Sequence, residues 1–181
     1  MIEGPVIQTA SGEYVAPLDP WSFTPRIDDI AHALSMQCRF SGHTRWHYSV
    51  CQHSVLVADL CPIEDKLWGL LHDASEAYLV DVPRPLKHDP GFGAVYRVAE
   101  QAMQNRICHQ FGLPLVEPES VRDADLVLLE TERRDLMPAG PGWLLTASVV
   151  PLVSRIRPWS PEQARDEFLA CFEGLVCRVA A

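Results

Sequence analysis

No run of apolar residues in this 181-residue chain is long enough to span a bilayer, and no two of its cysteines form a C-x-x-C pair. The first absence excludes a transmembrane helix. The second removes the usual zinc-ribbon and redox spacing, so Cys38, Cys51, Cys61, Cys108, Cys171 and Cys177 read as free thiols of a cytoplasmic protein. The start, Met1-Ile2-Glu3-Gly4-Pro5, lacks a charged segment followed by an apolar one, so no signal peptide is expected. Repeats, low-complexity tracts and signs of a second domain are missing too. Positive charge is in deficit, with a net charge of −9. An acidic surface disfavours long nucleic acid and anionic membranes. Small anionic substrates remain open to it, provided that Arg and Lys cluster locally. With 48% apolar and 22% charged residues, the chain reads as one globular domain over 1–181. That length can bury a core without disulfides.

The periodicity predicts an all-α domain carrying a short N-terminal β-hairpin. Val6-Ile7 and Tyr14-Val15 flank the turn pair Ser11-Gly12. Pro17, Pro20 and Pro25 keep the chain irregular to Arg26. A first helix follows from Ile27, with Asp28 and Asp29 in its first turn, where negative charge suits the helix dipole. Further helices are expected at about 48–60, 63–79, 92–111, 118–136 and 161–179, with Pro161 just inside the start of the last. The fourth carries Phe92, Val95, Tyr96, Ala99, Met103 and Ile107. Pro83 and Pro85 end the third, Pro138–Gly142 is a breaker, and 143–151 is apolar and ambiguous.

Ionisable residues then appear where core residues belong. Successive helical residues lie about 100° apart around the axis. By that rule His53 sits on the apolar face of Val50, Leu56, Val57 and Leu60, as a hydrogen-bonded core residue or a ligand. On the third helix His72, Asp73 and Glu76 share the face opposite Leu67, Leu70, Leu71, Ala74 and Tyr78. A solvated face is the usual fate of such a set, but this helix is apolar elsewhere, and imidazole beside carboxylates is the composition of a metal site. On the fifth helix Asp125 lies inside the face of Val121, Ala124, Leu128 and Leu129, whereas Asp123 points away. A lone buried carboxylate is costly, so Asp125 needs a partner or a cation. His53, His72, Asp73 and Asp125 thus suit a divalent ion (Co, Mn, Zn or Mg) with positions left for water and substrate.

These residues are also where the sequence resembles the HD-domain metal-dependent phosphohydrolases. The family pattern is a His, then a His-Asp pair, then a later Asp. It is matched by His53 in Cys51-Gln52-His53-Ser54, by Leu71-His72-Asp73-Ala74-Ser75-Glu76, and by Asp125 in Ala124-Asp125-Leu126. The likeness spans roughly 26–136 and is greatest to the small branch of 5′-deoxynucleotidases and phage-type dATP triphosphohydrolases. It implies a single HD-domain helical bundle. It implies substrate contacts from Arg39 and Phe40, although Phe40 replaces the Trp of the nucleotidases, which puts their sugar and base contacts in question. The family's H-D-x-x-E and D-x-P-x-P-x-K run is present as His72, Asp73, Glu76, Asp81, Pro83, Pro85 and Lys87. Glu76 and Asp81 would then be the acid/base pair, and Lys87 would face phosphate oxygens or lie as an ordinary surface lysine. Arg84 occupies a variable position.

His43 and His47 stand four apart but without H-E-x-x-H, and Gly42 argues for a loop. A substrate-facing role is expected for His43 and none is assigned to His47. The expected activity is hydrolysis of deoxynucleotide phosphates, leaning to a dNTP triphosphohydrolase of dATP type. The alternatives are a 5′-deoxynucleotidase, a phosphodiesterase on short or cyclic nucleotides, and a non-catalytic nucleotide-binding module. Apolar stretches at 143–151 and in the last helix point to a homo-oligomer.

Overall fold

The computed structural model of the chain describes residues 4–141, 143, 146 and 148–179. The reading of Met1–Glu3, and parts of the breaker and of the ambiguous 143–151 segment, fall outside them. The protein is mostly helical with one small hairpin, as expected. Strands β1 (Ile7–Gln8) and β2 (Tyr14–Val15) pair antiparallel, Ile7 opposite Val15 and Gln8 opposite Tyr14. The helices are α1 (Ile27–Met36), α2 (Val50–Leu60), α3 (Lys66–Leu71), α4 (Glu76–Leu79), α5 (Arg84–Lys87), α6 (Phe92–Phe111), α7 (Glu119–Leu136) and α8 (Pro161–Val179). No helix among the described residues is long and apolar enough to cross a membrane.

Helix α2 lies in the middle, against α3, α7 and α8. It starts where it does because Ser49 caps it, the Ser49 hydroxyl accepting from the Gln52 N–H at 3.1 Å. Eight of its eleven residues are buried, so it is a core helix rather than a one-faced surface helix. One core cluster joins Ile30, Leu34, Val50, Leu70, Leu71, Met103, Ile107 and Phe168; a second joins Val57, Cys61, Trp68, Cys108, Val121 and Leu128. The apolar face of α8, with Ala164 and Phe168 fully buried, is thereby used inside the chain.

Three expectations change. The predicted third helix is not continuous. Residues 72–75 form a tighter turn with i→i+3 bonds, Glu76 N–H to Asp73 O at 3.0 Å and Ala77 N–H to Ala74 O at 3.2 Å. In such geometry residues three apart eclipse. Asp73 and Glu76 therefore stay on one side, for a different reason than a 100° phase. Pro83 and Pro85 do not simply end the segment, because 84–87 makes one further helical turn. And the apolar set read on the fourth helix is only partly covered: Phe92 and Val95 are 55% and 74% exposed, and only the C-terminal half of α6 packs into the core.

Asp29 does more than suit a helix dipole. It is buried, and its carboxylate accepts from the Ser11 N–H at 2.7 Å and the Ser11 hydroxyl at 2.8 Å, tying the hairpin turn to α1. The segment before α8 is held by side chains rather than by secondary structure. The Gln52 amide donates to Arg157 O at 2.8 Å and accepts from the Trp159 N–H at 2.9 Å. The Asp135 carboxylate accepts from Arg134 and Arg155, both at 2.6 Å, and from the Ile156 N–H at 2.9 Å. Burial pushes this carboxyl up, but the bonds from Arg134, Ile156 and Arg155 outweigh it and hold it at about 2. A depressed carboxylate stabilises the fold above its unfolded value near 4, and that stability is lost as pH falls toward about 2. It is worth roughly 2 kcal/mol at neutral pH. Asp135→Asn is expected to flatten the acid limb of the unfolding curve between pH 4 and 2 and to speed amide exchange at 152–157. An unchanged acid limb would remove Asp135 from this role.

Candidate metal centre

Two helices and one turn bring the site together. His53 enters from α2 and is wholly buried. Its Nδ1 lies 2.6 Å from Glu132 Oε1, a carboxylate that can only accept, so Nδ1 carries the proton and Nε2 presents a lone pair. His72 lies just after α3. Its Nδ1 lies 2.7 Å from the Gly69 carbonyl oxygen, which fixes the same tautomer. The two Nε2 atoms face each other at 3.2 Å. Asp73 Oδ2 lies 3.2 Å from His72 Nε2 and 3.7 Å from His53 Nε2, and Asp125 Oδ1, from α7, lies 3.3 Å from His53 Nε2.

With both imidazoles neutral, four acceptor atoms converge, and apart from the Arg39 bond to Asp73 Oδ2 at 3.4 Å they are satisfied by protons on the two Nε2 atoms or by a cation. Ligand atoms of His53, His72 and Asp73 lie within 4.8 Å of one another, so this group can bind a metal ion. The electrostatics agree. Burial pushes the His72 imidazole down, yet Asp73 and then Asp125 reverse this and raise it to about 9. Burial and the Arg39 charge push His53 down, and Glu132 and Asp125 reverse that as well. Burial raises Asp125, but His53, His72 and Arg39 bring it to about 2, and the same partners hold Asp73 well below the usual carboxylate range. The centre demands positive charge.

Glu132 was missed in the sequence. It stands seven residues after Asp125, two helical turns, and so on the same inward face of α7. The reasoning that chose Asp125 over the exposed Asp123 selects Glu132 equally well. Fully buried, Glu132 also accepts from the Tyr48 hydroxyl at 2.8 Å and from Arg39 at 3.2 Å. Arg39 reaches it because an antiparallel bridge between Cys38 and Ser49 folds the α1–α2 loop back, with the Arg39 N–H on Tyr48 O at 2.9 Å. The Arg39 guanidinium lies inside, 3.4 Å from Asp73 and 3.2 Å from Glu132. Phe40 follows it at φ +54°, its ring centroid 5.8 Å from that of Trp143. His43 is exposed beyond the turn at Phe40–Gly42, and the fold does not gather it into the cluster. The His47 Nε2 lies 3.2 Å from Ser35 O, a structural contact.

Glu76 is 2% exposed beside the cluster. Its Oε1 accepts from Lys87 at 3.0 Å, while Oε2 is buried without a hydrogen-bond partner. Burial and the Asp73 charge push its carboxyl well above the usual range, against the pull of Lys87. The Lys87 ammonium is shared with Glu100 at 2.6 Å, so it reaches the site through Glu76. Gly93 fixes that placement: a Cβ there would lie 2.2 Å from the Lys87 carbonyl oxygen, so only glycine lets α6 sit against α5. Asp81 is half-buried, and burial raises its carboxyl. Gln37, also unforeseen, holds both acids: its amide donates to Glu76 O at 3.0 Å and accepts from the Asp81 N–H at 3.2 Å. Val80, just before Asp81, has φ +63°, a strained conformation for a β-branched residue, held by the Tyr96 hydroxyl donating to its carbonyl at 2.6 Å. His72, Asp73 and Asp125 open onto a cleft of about 530 Å³, with Trp68, Leu115 and Leu126 on its apolar wall.

No family model matches the chain. It is 35% identical over 123 residues to an uncharacterized protein of Rhodobacter capsulatus, an alignment covering 63% of this chain and 62% of that one. Over 151 residues it is 40% identical to the uncharacterized protein YfdR of Escherichia coli, covering 82% of this chain and 83% of its relative. With that identity over four-fifths of both chains, the protein belongs to the family of Escherichia coli YfdR.

Proposed function

We propose that the protein is a metal-dependent phosphohydrolase of the HD-domain type, acting on deoxynucleotides. The observation that carries this is the convergence of His53 Nε2, His72 Nε2, Asp73 Oδ2 and Asp125 Oδ1, two imidazoles against two carboxylates, beside two acids of raised pKa. These four groups would hold the cation. When bound, a divalent cation polarises the phosphoryl oxygen and lowers the pKa of water. Glu76 orients that water through its unpartnered Oε2 and takes its proton. Asp81, raised by burial, protonates the leaving 5′ oxygen. The water oxygen bonds to the α-phosphorus as the phosphorus–O5′ bond breaks, leaving a deoxynucleoside and the phosphate chain. The same bond breaks in a mono- or a triphosphate, so the two substrates differ only in what the α-phosphate carries. A cleft of about 530 Å³ lies within the usual range for small-molecule sites.

The test is turnover of each dNTP and dNMP with Mn²⁺, Co²⁺, Zn²⁺ or Mg²⁺, with products resolved. Release of triphosphate and deoxynucleoside from a dNTP is expected. Orthophosphate from dNMPs with dNTPs left intact selects the 5′-deoxynucleotidase reading. Nucleotide binding without turnover under any metal overturns the enzymatic one.

A further inference from the structure

The acidic surface of this chain admits an anionic substrate only where cations gather. Such a gathering lines the cleft. Arg84 from α5, Arg97 from α6 and Arg122 from α7 reach one cavity that also exposes the candidate ligands His72, Asp73 and Asp125. The three come from separate elements, so no helical periodicity placed them together. Arg84 lies 3.6 Å from Asp125 Oδ2, directly beside the metal group. Arg122 donates to Glu117 O at 3.1 Å and lies 3.8 Å from the Glu117 carboxylate, while Arg97 donates to Lys87 O. All three are exposed; Arg97 and Arg122 pair with backbone oxygens or the partly exposed Glu117, and Arg84 with the half-buried Asp125 at 3.6 Å, beyond hydrogen-bond distance. Such contacts are worth little and are readily exchanged for phosphate. Guanidinium matches phosphate bidentately and keeps its charge at every accessible pH. Lys87, the lysine nearest the site, is already taken by Glu76 and Glu100.

We infer that this arginine arm is a subsite for the β- and γ-phosphates of a nucleoside triphosphate. The inference rests on the hydrolase reading above and extends it. With the α-phosphate at the candidate ligands His72, Asp73 and Asp125, Arg84, Arg97 and Arg122 on the same cleft would receive the phosphates beyond it. A monophosphate leaves this arm empty.

The test separates the subsite from the activity. Arg97→Gln/Arg122→Gln and, separately, Arg84→Gln are loaded with Mn²⁺. Calorimetry then measures their affinity for inorganic tripolyphosphate, and kcat/KM is compared for dNTP and dNMP. Exposed positions keep these variants folded, which thermal unfolding checks. Tripolyphosphate affinity is expected to fall by about 10–100-fold in the double variant, as loss of charge-assisted bonds implies, with the dNTP-to-dNMP ratio of kcat/KM falling alongside. Loss of tripolyphosphate binding supports the subsite even if no nucleotide is turned over, which would defeat only the hydrolase reading. Wild-type protein that hydrolyses dNMPs but does not bind tripolyphosphate, or arginine variants that bind it as tightly as wild type, would overturn the subsite and leave the hydrolase standing.

Discussion

Glu76→Ala is expected to keep its divalent cation and lose turnover by a factor of about 10²–10⁴, the usual contribution of a positioned acid or base. His72→Ala and Asp125→Ala are expected to lose both together. The difference follows from what each atom faces. His72 Nε2 and Asp125 Oδ1 point at His53 Nε2 from 3.2 and 3.3 Å, so each supplies a lone pair to the convergence. Glu76 spends one oxygen on Lys87 and keeps the other buried and free. Removing it does not orphan Lys87, because Glu100 holds that ammonium at 2.6 Å. Metal content and calorimetric Mn²⁺ affinity, measured with turnover on the same samples, separate the cases. Loss of metal in Glu76→Ala would make Glu76 a ligand; full turnover in it would end its proposed role. Glu76→Gln, which keeps the shape and the Lys87 contact, guards against a packing artefact.

The largest effect on folding is expected at Glu132. One carboxylate with no solvent exposure holds Arg39, Tyr48 and His53. Glu132→Ala leaves the Arg39 guanidinium half-partnered in the interior and frees His53 to turn. Breaking such a buried pair from one side costs about 3–5 kcal/mol, against a total of about 5–15 kcal/mol for a domain. A fall in Tm on the order of 10 °C is expected. Glu132→Gln keeps the volume and one acceptor, so it is expected to lose less stability. It still weakens control of the His53 tautomer, and metal affinity is expected to drop about 10–100-fold. If Glu132→Gln binds Mn²⁺ as wild type does, the carboxylate stabilises the fold without orienting the ligand.

Much of this was legible in the residues. The bounds of α6, α7 and α8 agree with the periodicity, since long segments with apolar spacing leave few alternatives. The helical phase also placed His53 inward and separated Asp125 from Asp123. Glu132 was equally legible by the same phase, standing two turns after Asp125 on the same face of α7. Other features were beyond a one-dimensional reading. Over four residues, a 100° and a 120° step leave Asp73 and Glu76 on the same side, so the break after Leu71 leaves no periodic trace. An apolar stripe such as Phe92 and Val95 shows which side is greasy, not whether anything covers it. The partners of Lys87 and the meeting of Arg84, Arg97 and Arg122 depend on how three elements cross. No spacing along the chain encodes that.

The packing of α8 has a consequence for how the protein comes into being. All four candidate ligands have left the ribosome before residue 126 does. Yet α2, which carries His53, is closed on one side by α8, where Ala164 and Phe168 are fully buried and the Cys51 thiol donates to Ala164 O at 3.2 Å. During synthesis His53 therefore waits on an unclosed helix while the next hundred residues are made. Contacts spanning that distance form late, because the loop must close before they repay it. The nascent chain holds the candidate metal-binding groups long before it holds them in place, and α8 acts as the clasp that closes the helix carrying His53.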